Sequence, residues 1–208
     1  DPKKIHTIPT CVDLKRFQYI NPSNIDKKKF SCIGTIISDW FLLDWLKLFF
    51  KCVQEYDGNA IFEIISNDSK ETLLSKLNFD YTISSKLIIR AASYEEMPNL
   101  ISSHSASAMF FKPDISKLGS SPTRLGEILA VGRPIICNSG VGDLNAIINP
   151  NKVGIVVNDP NYRNMISAVE NLYVLINDPT TSARCRLLAE EYFSIYSGSQ
   201  KYSQIYSQ

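Results

Sequence analysis

The chain has 208 residues, 44% of them apolar and 21% charged, with a formal net charge of +1. That is enough apolar material for one sizeable core, and a charge so near zero excludes wholesale electrostatic binding to nucleic acid or to an anionic bilayer, leaving peripheral membrane contact at most. Five cysteines (Cys11, Cys32, Cys52, Cys137 and Cys185) are scattered among apolar neighbours and never spaced as CxxC. This predicts reduced, buried thiols and, with no signal peptide at the start, a cytoplasmic setting. The longest apolar stretch, 40–50, carries Asp44 and Lys47 and is too short and too charged to span a bilayer. The chain opens on Asp1-Pro2 rather than on methionine, which is read as one piece of a longer protein.

In chain order, β-type runs fall at 5–8, 30–33, 60–65, 86–90, 106–111, 134–137 and 154–157. Helix-period apolar spacing covers 40–55, 69–77, 94–102, 122–131, 143–148, 162–177 and 180–196. Short strands alternating with amphipathic helices predict βαβ units, hence an α/β fold: a Rossmann-like, doubly wound parallel sheet flanked by helices. Residues 1–195 form that domain. The polar, tyrosine-rich 196–208 is either a last helix that packs on something beyond the domain or a frayed terminus. Ligands in such folds bind beyond the carboxyl ends of the strands, so the loops that matter are 34–39, 66–69, 91–94, 112–122 and 138–143.

The richest of these reads KPDISKLGSSPTR, residues 112–124. Proline suits the first helical position and serine the cap before it, so Ser121 is expected to cap a helix that begins at Pro122. The free N–H groups of Thr123 and Arg124, with the helix dipole, then suit a phosphate. Glu127 shares their helix face; it either accepts bonds from vicinal ribose hydroxyls or is an ordinary first-turns glutamate paired with Arg124. Residues 130–143, AVGRPIICNSGVGD, read as a helix end stopped by Gly132, a buried strand, and a turn in which Gly140 and Gly142 either admit a ligand or simply turn tightly. Asp143 would cap the next helix. No His, Cys, Asp and Glu set has metal-ligand spacing, no nucleophile triad is evident, and His104 reads as surface or structural.

Ser120 to Asp143, SSPTRLGEILAVGRPIICNSGVGD, resembles the donor-site signature of retaining GT-B glycosyltransferases of the glycosyl transferases group 1 family, SPTKxxEYLAxGxPVIxxxxxGD in one branch. Supporting likenesses run along nearly the whole chain: TIPTCVDLKRF (7–17) to IPNGVDxxRF, CIGTIISDWFLLDWLKLFF (32–50) to VGSLGxWYxxxxMLxFF, residues 88–107 to the strand, loop and helix ahead of the family's "AD" segment, and 153–157 to the VGxxV strand.

The resemblance implies two facing Rossmann-like domains. The one present here would hold a nucleoside diphosphate sugar. The acceptor-binding N-terminal domain, which takes a glycan or other acceptor, would lie outside this chain. The full-length protein would then be a hexosyl- or other glycosyltransferase acting with retention, without metal or cofactor beyond its donor, and the isolated domain would be inactive. Glu127 would hold the donor ribose. The main-chain amides of Thr123 and Arg124, beside Ser121, would contact the diphosphate, as would the turn at Gly34 and Thr35. Asn67, next to Asp68, with Arg90, Ala91 and Tyr94, would border the base; no catalytic residue is assigned. Two features depart from the pattern. Gly119 stands where the first acid of E-x7-E is expected, and the first loop, GTIISDW, carries no cation, which leaves Lys112, Lys117 and Arg124 as the basic candidates. The competing readings are a degenerate nucleotide-binding module and a GT-B-like sugar-nucleotide epimerase.

Overall fold

The structure, a computed structural model, describes residues 6–19 and 28–207. Six strands, β1 (Lys29–Ile33), β2 (Ile61–Ile65), β3 (Leu87–Arg90), β4 (Ala106–Met109), β5 (Ile135–Asn138) and β6 (Gly154–Val157), form one sheet in the order β3-β2-β1-β4-β5-β6. Every pairing is parallel. The helices are α1 (Leu43–Tyr56), α2 (Lys70–Leu77), α3 (Tyr81–Ser84), α4 (Met97–Ser102), α5 (Thr123–Ala130), α6 (Leu144–Asn151), α7 (Tyr162–Asn177), α8 (Thr181–Tyr192) and α9 (Ile195–Tyr206), with a 3-10 turn at Ile115–Lys117.

The strands alternate between two cores because successive side chains leave a strand on opposite faces. Phe30, Phe62, Ile64 and Ile136 join Phe49 and Phe50 of α1 and Leu172 of α7. Ile33, Ile65, Ile135 and Cys137 join Leu125 and Ile128 of α5 and Leu188 of α8 on the other side. The expected doubly wound sheet is therefore found. All five cysteines are free thiols, and Cys32, Cys52, Cys137 and Cys185 are buried. Among the described residues, no helix is long and apolar enough to cross a membrane.

Several expectations need correction. Of the first run, 5–8, Ile5 lies outside the described residues and the rest forms no strand; this stretch leads into Pro9, which has no N–H to give a ladder. The chain first pairs at Val12, whose N–H donates to the Phe193 carbonyl at 2.6 Å. The single helix expected over 180–196 is two. Phe193 turns into the core, 1% exposed, and Ser194 starts α9 by accepting the Ser197 N–H. Of the two readings of the tail, a helix is what forms, seated with Gly198 against the Cys11 sulfur. The regular bonds of α4 begin at Met97 rather than at residue 94; Ser93 and Glu96 exchange capping-box bonds across the turn at 94–96 that leads into it. The one-turn α3, capped by Asp80, was not legible as a periodic pattern.

A polar cluster sits inside the second core. Glu63 on β2 is 2% exposed; its Oε2 lies 2.6 Å from Lys29 Nζ and 2.6 Å from His104 Nε2. His104 is fully buried, structural rather than at the surface. Its Nδ1 has no hydrogen-bond partner among the described residues, so the neutral ring, donating from Nε2, fits the site, whereas a second proton would be a buried donor with nothing to bind. Burial pushes the His104 pKa down. Burial also pushes Glu63 up, but the bonds from His104 and Lys29 outweigh it and hold the carboxyl at about 2. Both shifts act in one direction. The unfolded chain takes up protons below 6.5 at histidine and below 4.5 at glutamate while the folded one resists. Stability is therefore present in full above those values and is lost as pH falls through them. Thermal melts from pH 7 to pH 3 should show a falling midpoint; a midpoint that holds or rises as pH falls would contradict this.

Candidate functional site

The sheet reverses its winding between β1 and β4, and the loops that leave their carboxyl ends diverge there, opening a crevice. Gly34 follows β1 with φ +127 and donates its N–H to the Ile65 carbonyl at 3.0 Å. A Cβ at Gly34 would meet nothing within 4 Å, so the glycine is explained by its backbone angle and not by packing. The rest of the first loop is fastened by Asp68. Its Oδ2 accepts the N–H of Ile36 at 2.6 Å, the N–H of Ile37 at 2.9 Å and the Ser66 hydroxyl at 2.9 Å. Burial pushes this carboxyl up, but those bonds prevail and lower it. A carboxylate thus occupies the Ile36 and Ile37 amides of a cation-free loop, a role for Asp68 not visible in the spacing.

A cavity of about 210 Å³ lies in this crevice, lined by Gly34, Thr35, Ser66, Asn67, Ala92 and Arg124, with Ile65 and Met97 at its floor. It brings together four of the residues singled out in the sequence: Gly34, Thr35, Asn67 and Arg124. Ser121, Thr123, Glu127, Arg90, Ala91 and Tyr94 are not among its lining residues. The Arg90 guanidinium turns to Glu96 at 2.8 Å and to the Ala91 carbonyl at 3.3 Å, and Tyr94 packs under Arg16. Arg16 is the functional candidate that sequence reasoning missed. It belongs to the RF of TIPTCVDLKRF, far from the loops in sequence, so only the fold could bring it here.

Helix α5 starts at Thr123, with Pro122 in the cap position and no side-chain cap. The expectation that Ser121 caps a helix beginning at Pro122 is therefore corrected. The Ser121 hydroxyl instead accepts the Thr10 N–H at 3.1 Å, and its carbonyl accepts the Thr10 hydroxyl at 2.7 Å. Those bonds tie the loop to the segment ahead of the sheet, and Ser121 faces a neighbouring cavity of about 300 Å³ shared with Pro9 and Leu144. The first N–H groups of α5 are left without helical acceptors, as in any helix. One turn on, Glu127 is 7% exposed and accepts from the Arg124 guanidinium. Burial raises its pKa against the opposing charges of Arg124 and Arg16. The paired alternative is thus realised.

Gly142 settles the second glycine-rich turn. With φ +45, a Cβ there would lie 1.9 Å from the Ser120 carbonyl oxygen, and the Gly142 N–H donates to the Lys117 carbonyl at 2.7 Å. Its close approach is to the 112–122 loop, which it supports. Asp143 occupies the cap position of α6 without a side-chain cap bond, contrary to expectation. Of the other basic candidates, Lys117 lies over the Trp40 ring, 4.7 Å from its centroid, and Lys112 gives its backbone N–H to the Trp40 carbonyl. Among the described residues no cluster of three or more His, Cys, Asp or Glu could hold a metal ion.

This arrangement, a parallel sheet with its crevice at the switch point, is the Rossmann-like half of a GT-B fold. Solved glycosyltransferases share it. AviGT4, involved in avilamycin A biosynthesis, aligns with a TM-score of 0.73 and 16% identity over 97% of this chain and 57% of its own. Alr3699/HepE from Anabaena, solved with UDP and glucose, gives 0.68 and 12% over 98% and 56%. WaaG, involved in lipopolysaccharide biosynthesis, gives 0.64 and 14% over 99% and 57%. Identities this low establish the fold, and the chain spans about half the length of these structures. No protein-family profile and no curated protein sequence matches it.

Proposed function

We propose that this chain is the donor-binding half of a glycosyltransferase that moves a sugar from a nucleoside diphosphate to a glycan or other acceptor, with retention of configuration. The observation that carries the reading is the crevice at the switch point, where Gly34, Thr35, Asn67 and the start of α5 converge. The diphosphate would lie at the N–H groups of Thr123 and Arg124, where the helix dipole favours negative charge. The ribose would lie against Glu127, and the base toward Asn67 and the 90–94 loop. Arg124, on the cavity wall, is the cation placed to stabilise the departing diphosphate. Ser121 would act only through the loop it fastens. A second domain would supply the acceptor side, in the cytoplasm, where the free thiols stay reduced.

Calorimetry tests this. The domain should bind UDP, GDP or ADP, one preferred, with affinity unchanged by chelator, and should transfer no sugar alone. Loss of binding on adding chelator, or turnover by the domain with a nucleotide sugar and a glycan, would contradict the respective parts. The degenerate binding module is separated by the full-length protein, which would bind donor and transfer nothing.

A further inference from the structure

Arg16 comes from the segment ahead of the sheet, yet its side chain ends at the loop between β3 and α4. Its backbone is fixed on both sides. The Asp13 carboxylate accepts the N–H groups of Lys15 and Arg16, and Phe17 is anchored in the core at 2% exposure. The guanidinium lies over the Tyr94 ring, and Nη2 donates to the Tyr94 carbonyl. Nε is buried and has no hydrogen-bond partner among the described residues, so the side chain gives up solvation to reach this place. Its charge is also felt by Glu127.

The same loop is also held locally. Ser93 and Glu96 exchange capping bonds, the Ser93 N–H to Glu96 at 2.8 Å and the Glu96 N–H to Ser93 at 3.3 Å, and Arg90 pairs with Glu96. Ala92, immediately ahead of this box, forms part of the cavity wall. Tyr94 lies inside that local box, so the loop backbone is held there both by the box and by one distant arginine.

We propose that Arg16 is a positioning residue that sets which base the site accepts, by fixing the loop backbone at residues 91–94 through the carbonyl and ring of Tyr94. The proposal rests on the reading of the crevice as a nucleoside diphosphate site. A planar guanidinium can serve the ring face and the carbonyl together, and a lysine ammonium cannot do both as well.

The test is calorimetry of the wild type, Arg16→Ala and Arg16→Lys with UDP, GDP, ADP and inorganic pyrophosphate, with hydrogen exchange of the amides at 91–94. Losing one cation–π contact and one charged hydrogen bond should weaken the preferred nucleotide by about 5- to 30-fold in Arg16→Ala. The gap between preferred and other bases should narrow, loop amides should exchange faster, and pyrophosphate affinity should hold. Arg16→Lys should fall between, and it carries the same readouts if Arg16→Ala does not fold. Equal losses for pyrophosphate and nucleotide would overturn the proposal in favour of a direct diphosphate contact. Unchanged base preference in the variants would overturn it while leaving the donor site intact. A wild type that binds no nucleotide would overturn the donor-site reading and this proposal with it.

Discussion

Replacing Glu63 with alanine is expected to lower the unfolding free energy by about 3–5 kcal/mol at pH 7, the range for removing one partner of a buried ion pair. Two groups are left behind. His104, fully buried, loses the acceptor for its Nε2 proton, and an orphaned buried donor alone costs about 1–3 kcal/mol. The Lys29 side chain, 19% exposed, loses its carboxylate and can recover only part of its hydration. A cavity the size of the lost carboxymethyl group adds to the cost. Glu63→Gln keeps the volume and an acceptor for His104 and should lose less. Denaturant unfolding of the three proteins checks this; an alanine variant within about 1 kcal/mol of wild type would show that the cluster contributes no net stability.

Glu127→Ala should act the other way, on ligand and not on fold. The carboxylate is buried, but its partner Arg124 keeps a 33% exposed side chain, so water can replace the lost contact. An i,i+3 pair of this kind contributes only about 0.3–0.5 kcal/mol, and alanine is the strongest helix former. The unliganded melting temperature should therefore change little. If the ribose hydroxyls bind this carboxylate, each charge-assisted bond contributes about 1.5–3 kcal/mol before desolvation. The net loss for a nucleoside diphosphate is then about tenfold to a hundredfold. Inorganic pyrophosphate, which has no ribose, should bind as before. A sharp drop in melting temperature with unchanged nucleotide affinity would assign Glu127 to structure alone.

Much of the fold was legible because short, mostly apolar runs such as that of β2, buried on both faces, and the period-3.6 spacing of α7 are local signals of burial. What failed was set by distant partners. Nothing near Phe193 says that it breaks a helix; the break follows from its burial beside Val12. Ser121 carried a capping signature, but its hydroxyl is taken by Thr10, more than a hundred residues earlier. The turn at Gly142 reads in sequence as either a ligand contact or a tight turn, and its close neighbour is the Ser120 carbonyl. Gly34, Thr35, Asn67 and Arg124 converge because strand ends converge, which the topology dictates. Arg16 and the Asp68 latch depend on side-chain reach across the assembled sheet, and no spacing rule encodes that.

The central claim is that the crevice at the end of β1 and β4 binds a nucleoside diphosphate. Chemical-shift mapping of the domain's amides during titration with UDP, GDP and ADP tests it most directly. The account predicts saturable shifts at Gly34, Thr35, Asn67, Ala92, Thr123, Arg124 and Glu127 with the preferred nucleotide, and with pyrophosphate at Thr123 and Arg124 but not at Asn67 or Ala92. Shifts confined to the cavity between Pro9 and Leu144, or none with any of the three nucleotides, would contradict it.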